Sequence, residues 1–170
     1  MDAYLAIVSR REVRRYAERP IPEDVTRQIL DAGRLAGSSK NTQPWRFVVV
    51  ESPEGRASVA EAVWAPGNIE GAALVVAVIV RGKGPVSFDG GRAAQNMMLA
   101  AHAVGVGACP NGVRDRDAIA AALGLEEEDK FATVLSFGYP ARATDPESRT
   151  PEEWIERADR RPLDDVAERR

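Results

Sequence analysis

Ser38-Ser39-Lys40-Asn41-Thr42-Gln43-Pro44-Trp45, leading straight into Arg46-Phe47-Val48-Val49-Val50, is the stretch on which the reading of this chain turns. The second half is apolar and β-branched and predicts a strand over Phe47 to Val50. The first half crowds hydroxyls and amides into a loop braced by Pro44 and Trp45. Capping and turn chemistry account for one or two such side chains, not for all of them. Asn41 and Gln43 each carry a donor and an acceptor, which is what holding the carbonyls and ring nitrogens of a flat heterocycle requires.

On the N-terminal side of this loop, Ile21-Pro22-Glu23-Asp24 is a helix start with proline and acids in the first turn. Val25, Ile29, Leu30, Ala32, Leu35 and Ala36 follow at helical spacing, and Gly37 is expected to end the helix as a left-handed cap. Ala3 to Val8 predicts a first short helix. On the C-terminal side, Pro53 to Val63 reads as a short helix. Ala72 to Val80 is a continuous apolar run, the signature of a strand buried on both faces. Asp89 or Gly90 and Gly91 are expected to open a helix reaching about Val104. Its faces are nearly all small or apolar, which predicts a central helix that also meets another subunit. Gly105 to Val113 leads into or contains a short strand. Asp115 to Leu123 predicts a helix capped by Gly124, Phe131 to Tyr139 a strand, and Thr150-Pro151-Glu152-Glu153 the N-cap of a last helix. Strands and helices mix without a βαβ rhythm, which predicts α+β rather than a doubly wound sheet.

The 170 residues predict a single domain, with residues 145–170 as a C-terminal arm. Hydrophobic residues make up 44% and charged residues 29%, enough for a core and too polar for a membrane protein. The net charge of −3 argues against a nonspecific nucleic-acid binder. One cysteine, Cys109, and one histidine, His102, leave no disulfide framework and no Cys/His metal cluster. With no signal-peptide layout after Met1-Asp2, the expected location is the cytoplasm. Cys109 reads as a core thiol and His102 as a structural histidine, since no acid–base pair accompanies either.

Arg10, Arg11, Arg14 and Arg15 lie within six residues. Guanidinium groups match phosphate oxygens bidentately and keep their charge, yet charge alone favours a solvated basic turn. Arg160 and Arg161 form a second pair, meaningful only if the fold brings the two together. Gly105-Val106-Gly107 follows a helix and lacks a third glycine, so it is not a dinucleotide fingerprint. Its glycines are expected to let backbone approach a ligand or to turn tightly.

In order, these pieces resemble the FMN-dependent nitroreductase family. Ser9-Arg10-Arg11-Glu12-Val13-Arg14-Arg15-Tyr16 is similar to the family's opening Arg-Arg-Ser-hydrophobic-Arg-x-aromatic motif. Ala36 to Phe47 resembles Ala-Pro-Ser-x-x-Asn-x-Gln-Pro-Trp-x-Phe, the most specific of the matches. Ala94 to Gly107 resembles the family's central helix and Gly-x-Gly turn. Gly138-Tyr139-Pro140, then Arg160-Arg161-Pro162-Leu163, resembles its closing segment. The resemblance implies a mostly antiparallel central sheet flanked by helices, an intertwined homodimer, and FMN held at the subunit interface. Arg10, Arg11, Arg14 and Arg160 would surround the phosphate and ribityl chain. Ser38, Ser39 and Asn41 would reach the flavin from the other subunit. The backbone around Pro110, Asn111 and Gly112 would line the ring, with Asn68 near its face.

The activity implied is ping-pong transfer of hydride from NADH or NADPH to a nitroaromatic, quinone or similar small acceptor, with the chemistry on the flavin and no catalytic side chain or metal. The alternative is a flavin carrier or sensor without efficient turnover. Two departures stand out: Glu12 replaces a serine and Gly37 a proline. The connections 46–72 and 81–87 are also short, which predicts a minimal lid over the flavin unless the segment from Asp145 to Glu156 covers it.

Overall fold

The structure, a computed structural model, describes residues 1–143 and 145–170. In chain order the elements are α1 (Ala3–Ser9), α2 (Glu23–Arg34), β1 (Trp45–Val49), α3 (Pro53–Ala62), α4 (Pro66–Glu70), β2 (Leu74–Arg81), α5 (Val86–Ala103), β3 (Gly107–Asn111), α6 (Arg116–Leu123), β4 (Asp129–Gly138) and α7 (Pro151–Arg157). Single 3₁₀ turns lie at Ser39–Asn41, Pro146–Ser148 and Leu163–Asp165. Among the described residues no helix is long and apolar enough to cross a membrane. The chain forms two compact units, one from Glu12 to Ala143 and one pairing Met1–Arg11 with the C-terminal residues from 145 onward.

The larger unit is built on a four-stranded sheet of order β1-β2-β4-β3, antiparallel throughout. Consecutive strand residues point to opposite faces, and β2 shows why its sequence is apolar without interruption. Leu74, Val76 and Val78 join one buried cluster with Ile29 of α2, Met97, Met98 and Ala101 of α5, and Leu135 and Phe137 of β4. Val75 and Ala77 join a second with Val59, Ala60 and Ala62 of α3, Ile69 of α4, Ile119 and Leu123 of α6, and Val134. Helices therefore cover both faces, and the expected α+β architecture with a helix-flanked antiparallel sheet is what forms. Pairing between β2 and β4 slips once, between Val78 and Ile79.

Apart from shifts of a residue or two at strand ends, two helix boundaries and one short helix differ from expectation. Helix α2 stops at Arg34: Leu35 at φ −84°, ψ 3° already returns its N–H to the carbonyls of Asp31 and Gly33, so no left-handed cap is needed. Gly37 is therefore not the cap, whereas Gly124 is left-handed (φ 58°) and does end α6. Helix α5 begins at Val86, a turn earlier than Asp89, because Pro85 supplies its cap carbonyl to the N–H of Asp89. The one-turn helix α4 arises where Pro66 starts a turn whose Ile69 is fully buried, a short-range feature with no periodicity to announce it.

The smaller unit packs α1 against α7. Asp2 caps α1 through the N–H of Leu5 (2.8 Å). Thr150 and Glu153 form a reciprocal capping box on α7, as the Thr-Pro-Glu-Glu pattern predicts. Trp154 is buried, and its Nε1 donates to the carbonyl of Pro146 at 2.8 Å.

Candidate functional site

Between α2 and β1 the backbone takes a conformation that L-residues avoid. Lys40 (φ 51°), Asn41 (φ 56°) and Gln43 (φ 48°) are all left-handed, and none is glycine. Each such residue costs about 1–2 kcal/mol, so the surroundings must hold them there. Within the loop, the Asn41 and Thr42 amides donate to the carbonyls of Ser38 and Ser39 (3.1 and 3.0 Å). The Gln43 amide donates to Ser38 Oγ (2.9 Å). At its exit, the Arg81 amide on β2 donates to the carbonyl of Pro44 (2.9 Å). At its entry, the Ser39 amide donates to Asp89 Oδ2 (3.1 Å) in the first turn of α5. The Asp89 side chain is 2% exposed and faces Arg92 at 3.8 Å. The side chains of Ser39, Asn41, Thr42 and Gln43 are left exposed. A backbone bent at a cost, with its amides and hydroxyls turned to solvent, is built to present donors and acceptors.

Pro110, Asn111 and Gly112 lie at the end of β3 and just beyond it. Pro110 and Gly112 are exposed, while the Asn111 side chain is the hub of a buried polar network. Asn111 Nδ2 donates to the carbonyls of Cys109 (3.1 Å) and Val134 (3.3 Å) and to Ser136 Oγ (3.1 Å). Its Oδ1 accepts from Asn68 Nδ2 at 2.9 Å. Ser136 Oγ in turn meets Tyr16 Oη at 2.9 Å, and Tyr16 donates to the carbonyl of Val13 (2.7 Å). Burial pushes the Tyr16 phenol up to about 12, with the Ser136 hydrogen bond opposing and the neighbouring Cys109 and Glu12 adding to the rise. Asn68 thus sits buried beneath β3, bonded to Asn111. Networks satisfied on every side rigidify what they join, here the segment around Tyr16, α4 and the Pro110–Gly112 turn. Gly107 serves the same docking: a Cβ there would lie 2.6 Å from Val13, whose amide bonds the carbonyl of Ala108. The close approach expected of the Gly-x-Gly pair is thus made by the chain itself.

In the smaller unit Arg11 is half-buried. It gives Nη1 to the carbonyls of Val8 (2.7 Å) and Arg10 (2.9 Å) and Nη2 to that of Trp154 (2.8 Å), with its guanidinium 5.6 Å from the Trp154 ring centre. Arg149 approaches the same ring at 5.0 Å. Partial burial lowers the proton affinity of Arg11, and the nearby charges of Arg160, Arg157 and Arg10 lower it further. Of the sequence's first arginine cluster, Arg11 thus feels Arg10 and Arg160, together with Arg157, which the sequence pattern does not single out, while Arg14 and Arg15 belong to the larger unit. Crowding of like charges is relieved by an anion, and Arg11, with Nη1 and Nη2 already bonded to three carbonyls, keeps Nε and the rest of Nη2 for one. Arg14 is exposed in the larger unit, as is Glu12. Asp89 and Arg92 were also missed; a lone Asp before two glycines reads as a helix opener, and only the tertiary fold reveals that it meets Ser39. Among the described residues no group of three or more His, Cys, Asp or Glu side chains is placed to hold a metal.

Comparison with known proteins narrows what this arrangement is. The chain is 28% identical to a protein of Thermus thermophilus named as an NADH dehydrogenase, over 91% of this chain and 95% of that protein. It is 33% identical to an Archaeoglobus fulgidus protein named as an NADH dehydrogenase/NAD(P)H nitroreductase, over 79% and 83%. Its fold superposes on a nitroreductase-type protein of Desulfovibrio desulfuricans crystallised in complex with FMN (TM-score 0.83, 28% identity, 100% of this chain and 98% of that one). The sequence profile of the nitroreductase family matches residues 7–84 and 86–139. With a match across most of its length, this chain belongs to the nitroreductase family.

Proposed function

We propose that the protein is an FMN-dependent oxidoreductase that draws electrons from NADH or NADPH and passes them to a small acceptor such as a nitroaromatic or quinone. One observation carries the reading: the loop from Ser38 to Gln43 is held left-handed at three non-glycine positions with the side chains of Ser39, Asn41, Thr42 and Gln43 exposed. The Desulfovibrio desulfuricans protein, aligned along this whole chain, binds FMN, which supports FMN as the flat polar ligand. Arg10, Arg11 and Arg160 would hold its phosphate, with Arg14 along the ribityl chain; the three carbonyls on Arg11 fix that guanidinium in place rather than leave it to search. Ser38, Ser39 and Asn41 would hold the ring from the second copy of a homodimer. Pro110, Asn111 and Gly112 would offer backbone groups, kept rigid by the network beneath them. When bound, FMN supplies the two-electron chemistry, taken up from the nicotinamide in one half-reaction and delivered to the acceptor in the next. The side chains then bind, orient and exclude water, and none has to act as an acid or base.

Anaerobic addition of NADH or NADPH to the yellow, FMN-loaded protein tests this. Bleaching of the yellow flavin absorption, reversed by an added quinone, is expected. A flavin that stays oxidised would replace the enzyme reading with that of a carrier or sensor.

A further inference from the structure

We propose that Asp89 is a positioning residue for the Ser38–Gln43 loop, acting through the Ser39 amide. The inference rests on the flavin reading for its functional half and on geometry alone for its structural half. Asp89 is buried to 2% exposure, yet it is a carboxylate in the first turn of α5, on the side of that helix away from solvent. A buried carboxylate needs hydrogen bonds and positive charge. It takes the Ser39 N–H at 3.1 Å and faces the Arg92 guanidinium at 3.8 Å, and the positive end of α5 favours it. Arg92 lies 5.8 Å from the Phe88 ring centre and passes over Gly37, where an added Cβ would stand 2.3 Å from Nη2.

Gly37, Arg92, Asp89 and Ser39 thus make one latch at the loop entrance. The latch meets the chain one residue before the left-handed run begins at Lys40. Hydrogen bonds inside the loop shape it, and Asp89 ties its first turn to a helix of the core.

The test compares Asp89→Ala, Asp89→Asn and Gly37→Ala with the wild type, first without FMN. Amide exchange followed by NMR reads the latch itself. Asp89→Ala should raise exchange at Ser39, Asn41 and Gln43 by about tenfold, the effect of losing one hydrogen bond to a charged group. Exchange in β2 should not change. Asp89→Asn keeps an oxygen for the Ser39 amide and should restore most of the protection. Gly37→Ala should push the flexible end of Arg92 aside and act in the same direction, more weakly. FMN titration by fluorescence then reads the function: affinity should fall about tenfold in Asp89→Ala and recover in Asp89→Asn. Unchanged loop exchange in Asp89→Ala overturns the latch. Exchange raised equally in the loop and in β2 also overturns it, by making Asp89 a general core residue. A loosened loop with unchanged FMN affinity overturns the positioning role, whereas a wild-type protein that binds no FMN fails the flavin reading itself and leaves the exchange result standing.

Discussion

Lys40, Asn41 and Gln43 show how a single residue can serve the site at the expense of the fold. Asn tolerates the left-handed region better than most side chains; lysine has no such excuse, and Lys40 is exposed. Glycine at position 40 would relieve about 1–2 kcal/mol of strain and return part of it as unfolded-state entropy. Lys40→Gly is therefore expected to stabilise the protein by about 0.5–1 kcal/mol in urea denaturation, with FMN affinity unchanged. Asn41→Gly relieves strain in the same way but deletes the amide proposed to touch the flavin, so stability should hold while FMN affinity drops. If both variants destabilise equally, the loop in solution is not left-handed, and the argument from strain is void. The chemistry of these residues is readable from their types alone. Their backbone strain is not, because it arises from what Asp89 and Arg81 hold in place from outside the loop.

At the scale of elements, one carboxylate joins three strands and the turn before them. Asp129, at the start of β4, accepts from Arg46 of β1 (2.8 Å), from Arg81 of β2 (2.9 Å) and from the amide of Glu126 (3.1 Å), while Arg81 also bonds Glu126 (2.7 Å). The amide of Glu126, then Arg81 and Arg46, hold the Asp129 carboxyl below its ordinary range against the opposing effect of burial. A carboxyl held low in the folded state contributes stability that is full above its unfolded value near pH 4, and that is lost as the pH falls through the lower folded value. Asp129→Asn should thus cost about 1–2 kcal/mol at pH 7, the two arginines being half in water, and should flatten the acid limb of stability below pH ~4. Urea midpoints at pH 7 and pH 3 check it: an equal loss at both would exclude a charge effect. Elements of this kind differ in how plainly the chain announces them. Strand β2 is legible because burial on both faces forces an unbroken apolar run, and α7 because Thr150 and Glu153 form a local capping box. The Asp129 clasp and the Asn68–Asn111–Ser136–Tyr16 network join residues far apart in sequence, so no local pattern encodes them.

For the whole molecule, the decisive statement is how many chains make one site. Large side chains stand in water on both units: Tyr4 and Ile7 on α1 are 56% and 57% exposed, Trp64 71% and Phe88 68%. Singly exposed apolar groups are common on protein surfaces, so the homodimer proposed above is tested at the flavin site itself. If the phosphate is held by Arg10 of one copy and the ring by Asn41 of the other, then neither Arg10→Ala nor Asn41→Ala has an intact site as a homodimer. Each should lose FMN on gel filtration while keeping its fold. Unfolding and refolding the two variants together randomises the pairing. Half of the dimers then carry both lesions on one side and none on the other, so FMN content should recover to about a quarter of wild type, bound with wild-type affinity. Absorbance of the dimer peak at the flavin band measures it directly. No recovery in the mixture would mean that each chain builds its flavin site alone, and that the polar loop and the arginine cluster serve the same copy.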